Sequence, residues 1–239
     1  ANELFVPPPL EATPTASEDA IAIEPSPHDV PGYRGERRDG ILNSPAFDTD
    51  WKNSPPRELW RKPVGVGWSS FSTAGEYCFT MEQRGEQEAV VCYDIQTGQQ
   101  IWEHRDTAYF KESTGGNGPR TTPTIHDGRV ISLGATGILN CLEAATGEVL
   151  WSRNILTEAQ IENRIFGMCG SPLVAEDLVI ACPGGKGASM AAWDLQTGKP
   201  VWKGGSAESS YSSPQLAKMF GESVILNFNA EGLYAHALA

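Results

Sequence analysis

The side chains that could carry chemistry in this 239-residue chain are few and widely separated. The five cysteines are Cys78, Cys92, Cys141, Cys169 and Cys182, and the four histidines are His28, His104, His126 and His236. No two cysteines are adjacent, no Cys-x-x-Cys-His sequence occurs, and the spacing matches no zinc or haem motif. No serine or cysteine has a base that a motif identifies. The residues therefore predict no catalytic triad, no covalent haem and no metal site.

A glycine-rich stretch at 184–189, with the sequence GGKGAS, suggests a phosphate-binding loop at first sight. It lacks the full glycine spacing of such loops, and it joins two predicted strands instead of opening a helix. We therefore interpret it as a tight connection between strands.

The remaining candidates lie in two long connections, 105–120 and 154–169, and beside the starts of predicted strands. Loops that join repeated β-units lie together on one face of the protein, where binding residues concentrate. The candidate binding residues are Trp68, Arg120, Arg164, Lys186 and Tyr211. Each is either a contact to a partner or an anchor of its own loop. If partner binding is the function, we expect it to require Arg120 and Tyr211, because each immediately precedes a strand start.

The element that must position these loops is a repeated cassette. Each copy has an acidic residue, then Thr-Gly, then a tryptophan four residues after the glycine. The copies contain Asp94, Gly98 and Trp102; Glu143, Gly147 and Trp151; and Asp194, Gly198 and Trp202. The tryptophans are 49 and 51 residues apart, which is typical of propellers and solenoids. The glycine allows the positive φ of a hairpin turn. The recurring tryptophan predicts packing between neighbouring units.

Two more apolar strands precede the two strands of each cassette, so each unit has four strands, as in the blade of a β-propeller. Four small-residue strand starts, at 69–72, 121–124, 170–173 and 212–215, define four units. We therefore predict an all-β propeller with four-stranded blades. Cys92 and Cys141 fall at equivalent positions of successive units, which predicts buried thiols.

The fourth unit ends before its Thr-Gly turn, and residues 57–64 around Trp60 look like the outer strand of a unit whose other strands lie elsewhere. Two interpretations follow. The four units belong to a larger ring, in which case open blade faces favour self-association, or residues 57–64 complete the last unit and close a four-bladed ring.

Composition divides the chain into three parts. Residues 1–32 contain seven prolines, six acidic residues and no lysine or arginine, which predicts a disordered tail or linker. Residues 33–56 are predicted to be a loop that wraps the first sheet, and residues 57–239 are the blades. The net charge of −12 argues against a nucleic-acid or anionic-membrane partner. No apolar run approaches the ~18 residues of a transmembrane helix.

Three arginines in the loop segment, Arg34, Arg37 and Arg38, could form a phosphate site. Because the rest of the chain is acidic, we favour ion pairing with carboxylates of the same protein.

The cassettes and strand starts resemble the pyrroloquinoline-quinone-like repeat of quinoprotein dehydrogenases and of outer-membrane-assembly propeller lipoproteins. The resemblance covers about residues 57–239. The segments 33–40, 118–124 and 184–188 are similar to those of an exported bacterial subgroup of these proteins. The resemblance implies an eight-bladed ring in the periplasm or outside the cell.

The same resemblance implies one of two functions. The first is a non-catalytic scaffold that binds a protein or cell-envelope partner. The second is a dehydrogenase for alcohols or sugars that uses pyrroloquinoline quinone with calcium, with active residues partly outside this chain. Such dehydrogenases resemble one another in an adjacent cysteine pair, a calcium shell of Glu, Asn and Asp, and a catalytic Asp. The cysteine pair is absent here, so we favour the scaffold.

Overall fold

The computed structural model describes residues 20–42 and 44–238. The described chain forms four antiparallel sheets, called blades 1 to 4 in chain order, and one short helix. Blade 1 contains β1 (Ser72–Ala74), β2 (Tyr77–Arg84), β3 (Gln87–Asp94) and β4 (Gln100–Asp106). Blade 2 contains β5 (Thr124–His126), β6 (Arg129–Leu133), β7 (Ile138–Glu143) and β8 (Val149–Asn154), followed by α1 (Ile155–Ala159). Blade 3 contains β9 (Leu173–Ala175), β10 (Leu178–Ala181), β11 (Met190–Asp194) and β12 (Pro200–Gly204). Blade 4 contains β13 (Gln215–Met219), β14 (Glu222–Asn229) and β15 (Gly232–Ala237). The predicted all-β architecture with propeller blades is confirmed.

The first strand of each blade lies at the centre of the molecule, and β1, β5, β9 and β13 contact one another in that order. The small residues before these strands form a hydrogen-bonded series that we call the hydroxyl ladder. Its members are Ser70, Thr122, Ser171 and Ser213. The N–H of each member donates to the side-chain hydroxyl of the next, at 3.2, 2.9 and 2.9 Å. Small hydroxyl residues at the strand starts therefore join each blade to the following one around the axis.

The cassettes form the turns between the third and fourth strands of the blades. In the first cassette, Asp94 Oδ1 accepts the N–H of Thr97 at 2.7 Å and its hydroxyl at 2.8 Å, and Gly98 has a φ of +68°. The hydrogen bonds from Thr97 hold the pKa of Asp94 below its usual value, and Thr197 acts in the same way on Asp194. The acidic residue and the glycine thus serve the turn, as the sequence predicts.

The tryptophans of the first two cassettes occupy equivalent positions between blades, where the ring lies against the turn of the next cassette. The indole N–H of Trp102 donates to the carbonyl of Ala144 at 2.9 Å, and the ring covers Gly147 of the next turn. A Cβ on Gly147 would lie 2.6 Å from the ring, so only glycine fits. Trp151 repeats the arrangement on blade 3, with its N–H 2.9 Å from the carbonyl of Leu195. The predicted packing between units is present at both positions.

Trp202 differs, because its indole nitrogen has no partner among residues 20–42 and 44–238. The predicted equivalence of the three cassette tryptophans therefore holds for two of them.

Residues 57–64 do not form the predicted strand, because no neighbouring strand pairs with them. Trp60 nevertheless occupies the position of a cassette tryptophan, against the cassette turn of the following blade. Its N–H donates to the carbonyl of Ile95 at 2.7 Å, and its ring lies against Gly98. The segment therefore lies where the outer strand of a blade preceding blade 1 would lie. It makes no hydrogen bond with β15 in the described structure, so the four-bladed closure is not formed.

Residues 20–32, which composition assigns to a disordered tail, lie against blades 1 and 2. Ile21 N–H donates to Ala145 O at 3.3 Å, Thr73 N–H to Val30 O at 2.8 Å, and Ile125 N–H to Pro31 O at 2.7 Å. The expectation of a free tail is therefore wrong for these residues, because extended backbone bonds to strand ends whatever its side chains are. The rest of that segment, residues 1–19, lies outside the described residues.

Four of the five cysteines are buried, Cys169 is partly exposed, and none forms a disulfide. The predicted burial of Cys92 and Cys141 is confirmed, and each lies opposite its cassette tryptophan in the sheet. No helix of the described residues is long and apolar enough to cross a membrane.

Candidate functional site

The connections between blades and the hairpins between second and third strands lie at the same end of the sheets, which we call the loop face. The N–H of Gly185 in the blade 3 hairpin donates to Ala207 O at 3.1 Å, and Met168 N–H donates to Ala135 O at 2.9 Å. The cassettes lie at the opposite end, the turn face. All five candidate binding residues belong to segments of the loop face.

A cavity of about 610 Å³ opens around the axis between the ladder and the loop face. Three arginines, Arg34, Arg38 and Arg120, line it together with Trp68 and Tyr211. Among residues 20–42 and 44–238, no aspartate or glutamate lines it, although the chain as a whole carries a net charge of −12. The axial cavity is therefore a cationic and aromatic region in an acidic protein.

Arg38 closes the inner end of this cavity. Its guanidinium donates to the carbonyls of Ser171 at 3.2 Å, of Pro214 at 2.6 Å, and of Pro172. Burial lowers its pKa to about 10, which still leaves it charged at neutral pH. The sequence predicts that residues 33–56 wrap the first sheet and that their arginines pair with carboxylates of the same protein. Arg37 does pair with Asp39 at 3.3 Å. Arg38 instead lies on the axis, against backbone of blades 3 and 4.

Arg120 fastens two loops together. Its guanidinium donates to the carbonyls of Gly116 at 2.6 Å and Asn117 at 3.3 Å in its own loop, and to Phe166 O at 3.2 Å in the next one. The guanidinium carbon lies 5.0 Å from the centre of the Phe110 ring. These bonds give Arg120 the role of a loop anchor, and its contact to a partner stays a prediction.

Trp68 and Tyr211 are two of the exposed aromatic side chains that line the cavity, and we call the edge of the cavity around them the rim. Trp68 is 67% exposed, yet its indole N–H donates to the carbonyl of Gly115, which fixes the ring. The Tyr211 ring packs edge-on against Phe166 at 5.3 Å, and the guanidinium of Arg164 lies 5.7 Å from its centre. The rim thus presents two aromatic rings that contacts within the protein hold in place, and Arg164 lies beside the second of them.

Lys186 stands apart from this group. It is exposed on the blade 3 hairpin and makes no hydrogen bond or ion pair with any described residue. A second cavity of about 410 Å³ lies between that hairpin and the rim, and Arg164 and Tyr211 line it. Arg164 also forms a surface ion pair with Glu208 at 3.0 Å. The structure therefore brings Trp68, Arg120, Arg164 and Tyr211 together and leaves Lys186 at the edge.

Sequence patterns missed a buried carboxyl group near the rim. Glu88 is 2% exposed, and one of its oxygens accepts the N–H of Ala135 at 3.0 Å while the other has no partner among the described residues. Burial raises its pKa to about 7, and Asp106 adds to the shift while the Ala135 N–H and Arg120 oppose it. A lone glutamate in an alternating strand carries no signal for such burial.

Replacing Glu88 with glutamine should stabilise the protein at pH 8 by about 2–3 kcal/mol and have little effect near pH 4.5. The unfolded carboxyl ionises near the ordinary glutamate pKa of 4.5, and the folded one has a pKa of about 7. Between these values the unfolded state loses its proton first, so wild-type stability falls as the pH rises. Glutamine keeps the bond from Ala135 and carries no charge.

The measurement is urea unfolding of wild type and Glu88→Gln at pH 4.5, 6 and 8. The matched control is Glu86→Gln on the exposed hairpin next to it, which should change little at any pH. Equal stability differences for Glu88→Gln at pH 4.5 and pH 8 would contradict the assignment.

The cysteine nearest the cavity is Cys169. Burial raises the pKa of its thiol, and Arg120 opposes the shift, so the thiol stays protonated at neutral pH. No group of three or more His, Cys, Asp or Glu side chains in the described part of the chain could hold a metal ion.

A protein-family model described as outer membrane protein assembly factor BamB matches residues 55–154 and 86–239. No curated protein sequence matches the chain.

Several solved structures are similar to the chain. The quinohemoprotein alcohol dehydrogenase from Comamonas testosteroni superposes with a TM-score of 0.53 at 15% identity, covering 88% of this chain and 47% of that one. The computationally designed Ika4 protein gives 0.51 at 15% identity, covering 77% and 99%. BamB from Moraxella catarrhalis gives 0.45 at 16% identity, covering 72% and 60%. These identities show the fold alone. The chain spans less than two thirds of both natural proteins.

Proposed function

We propose that this chain, which belongs to the family of the outer membrane protein assembly factor BamB, is a non-catalytic scaffold of the cell envelope that binds a protein partner through its loop face. The observation that carries the proposal is the rim of the axial cavity. It holds two exposed aromatic rings beside arginines, and no carboxylate of the described residues lines the cavity below it. The location outside the cytoplasm rests on the family and is part of the proposal.

The rim has the composition of a protein-binding site. Tryptophan, tyrosine and arginine dominate the binding energy of interfaces, because they combine large apolar area with directional polar groups. Trp68 is fixed by its bond to Gly115, so binding would cost little side-chain entropy. The surrounding arginines favour a partner segment that carries acidic side chains, and the acidic remainder of the surface repels it elsewhere. We therefore infer a polypeptide partner with an apolar anchor and nearby carboxylates.

The alternative of a calcium-dependent quinone cofactor fits the described residues poorly. Calcium needs six to eight oxygen ligands that include carboxylates, and no aspartate or glutamate in the part of the chain that the structure describes lines the axial cavity. The described lining residues also include no carboxylate that could act as a base in alcohol oxidation. The three arginines would suit an anionic group, but Arg38 already donates to three carbonyls.

Replacing Trp68 with alanine should weaken partner binding by about 30-fold or more, because an aromatic anchor at an interface contributes about 2 kcal/mol or more. Tyr211→Ala should weaken it in the same direction. The measurement is capture of partners from an envelope extract of the source organism, followed by titration of the captured protein against each variant. A photo-crosslinking residue at position 68 should label the same partner.

The matched control is Trp51→Ala. Trp51 is 59% exposed, and its indole also donates to a backbone carbonyl, that of Asp48 at 3.0 Å. It belongs to the loop segment before the blades. Equal binding by the Trp68 and Trp51 variants, at unchanged melting temperature and unchanged oligomeric state, would contradict the proposal.

A further inference from the structure

A group of buried polar side chains lies between blades 1 and 2, at the loop-face end of the interface. Glu88 on β3 has Gln83 of β2 and Asp106 of β4 as its cross-strand partners, so the three side chains share one face of blade 1. Ser132 and Asn140 are cross-strand partners on the facing side of blade 2. The Asn140 amide donates to Asp106 Oδ2 at 2.7 Å and joins the two blades. We call these five residues the polar cluster.

The polar cluster has more hydrogen-bond acceptors than donors. Four of its side-chain oxygens have no partner among the described residues, namely Gln83 Oε1, Glu88 Oε2, Ser132 Oγ and Asn140 Oδ1. These four residues are at most 4% exposed, and a Cβ on Gly134 would collide with Glu88 Oε2. Buried acceptors in folded proteins are almost always paired. A proton on the Glu88 carboxyl supplies a donor where donors are lacking.

The charged groups that face Glu88 belong to blade 1 and to the connection 105–120. Asp106 lies beside it, with the Nε2 of His104 at 3.2 Å from Asp106 Oδ1, and Arg120 acts on it from the connection. Gln83 of β2 is neutral, and blade 2 contributes no titratable group to the polar cluster. Burial raises the pKa of Glu88 to about 7 with the help of Asp106, although a backbone N–H and Arg120 oppose the shift.

Glu88 also supports the hairpin between β6 and β7, and this hairpin supports the next long connection. Glu88 Oε1 accepts the N–H of Ala135 at 3.0 Å. The carbonyl of Ala135 in turn accepts the N–H of Met168 at 2.9 Å and the side-chain amide of Asn163 at 2.8 Å. The connection 154–169 is therefore linked to blade 1 through Ala135.

The same connection supports the rim. The carbonyl of Phe166 accepts the Nε–H of Arg120 at 3.2 Å, and the Phe166 ring packs against Tyr211 at 5.3 Å. Movement of the hairpin at Ala135 therefore reaches the rim through the backbone that connects Met168 with Phe166.

We propose that the polar cluster is a proton-controlled latch between blades 1 and 2. When Glu88 is protonated, its carboxyl donates to a neighbouring oxygen of the polar cluster and the blades stay closed. When that proton passes to solvent at higher pH, the buried carboxylate needs hydration, and the β6–β7 hairpin opens to admit water. The connection 154–169 then loses the support of Ala135. The latch is a property of the fold, and its effect on partner binding rests on the proposed function.

The test is residue-resolved hydrogen exchange at pH 6 and pH 8, with each rate corrected for the intrinsic pH dependence of exchange. A pKa of about 7 in the closed state and the ordinary value of 4.5 in the open state predict about tenfold more opening at pH 8 than at pH 6. The Met168 amide should show this increase, because it donates to the carbonyl of Ala135. The Gly185 amide fixes the corresponding hairpin of blade 3 to Ala207 and should not change.

Glu88→Gln should protect the Met168 amide equally at both pH values, because glutamine keeps the bond to the hairpin and its amide donates to the polar cluster at any pH. Glu86→Gln, on the exposed hairpin beside it, should behave like wild type. An equal increase at Met168 and Gly185 in wild type would indicate opening of the whole protein and overturn the latch. An unchanged Met168 rate would also overturn it, and so would an increase that persists in Glu88→Gln, which would assign the response to His104.

The exchange measurement needs no partner, so it can fail or succeed independently of the proposed function. If both proposals hold, wild type should bind the captured partner more weakly than Glu88→Gln at pH 8 and equally at pH 6. Loss of the exchange difference contradicts the latch, whereas loss of the binding effect of Trp68→Ala contradicts the rim as the binding site.

Discussion

Trp102→Ala should lower the free energy of unfolding by about 3–5 kcal/mol, because removal of a buried tryptophan loses apolar contact and leaves a cavity. The ring is fully buried, lies 5.8 Å from the Phe79 ring and covers Gly147 of the next blade. Its N–H is the donor to the Ala144 carbonyl. Because the tryptophan packs between blades 1 and 2, its loss should destabilise both blades. Urea unfolding followed by circular dichroism measures the change.

Two further variants separate the causes. Trp102→Phe keeps most of the ring but leaves the Ala144 carbonyl unpaired, which should cost about 1–3 kcal/mol. Trp51→Ala removes the same side chain from an exposed loop and should cost less than about 0.5 kcal/mol. If Trp102→Ala and Trp51→Ala unfold at the same urea concentration, packing of the Trp102 ring between blades does not stabilise the protein and the prediction is wrong.

Arg38→Met should lower the free energy of unfolding by about 3 kcal/mol or more, because it leaves buried carbonyl groups without donors. The three carbonyl groups belong to Ser171 and Pro172, just before β9, and to Pro214, just before β13. Methionine fills similar space, so the expected loss reports on hydrogen bonding more than on volume. The same variant should loosen the axis, which faster hydrogen exchange of the Thr122 and Ser171 amides would measure, because both amides donate to hydroxyls of the ladder.

The neighbouring arginine supplies the control for this experiment. Arg37 is exposed and pairs with Asp39 at 3.3 Å, so Arg37→Met should change stability by less than about 1 kcal/mol. Arg38→Lys should fall between the two, because one ammonium group cannot reach three carbonyls in a fixed fork. Identical unfolding curves for the two methionine variants would contradict a structural role of Arg38 on the axis.

The repeat could be predicted from the sequence because its determinants are local. The acidic residue, the threonine and the glycine of each cassette bond to one another within five positions, as at Asp94, Thr97 and Gly98. Trp102 and Trp151 each contact the turn of the next unit, one repeat away, so the period of the sequence predicts these contacts as well. Arg120 and Tyr211 precede strand starts, and both line the axial cavity, while their contact to a partner stays a prediction.

Other features depend on contacts that no pattern encodes. Arg38 bonds to carbonyls of Ser171 and Pro214, which lie 133 and 176 positions further along the chain. A carbonyl group belongs to every residue, so side-chain types give no sign of which ones an arginine will reach. The extended path of residues 20–32 and the burial of Glu88 arise in the same way, from backbone groups that only folding brings near.

The sequence therefore determined the blade, its turns and the positions of Trp102 and Trp151 between blades, since each of these depends on contacts within a repeat or between neighbouring repeats. The tertiary structure alone decided that Arg38 fills the axis and that Arg120 is held by two loops. It also decided that Trp60 lies against the first cassette turn without belonging to a strand. Those outcomes depend on distances across the ring, where irregular backbone from one segment meets the strand starts of several blades. Periodic patterns describe neighbours along the chain, and geometry around the axis is set by how the blades pack together.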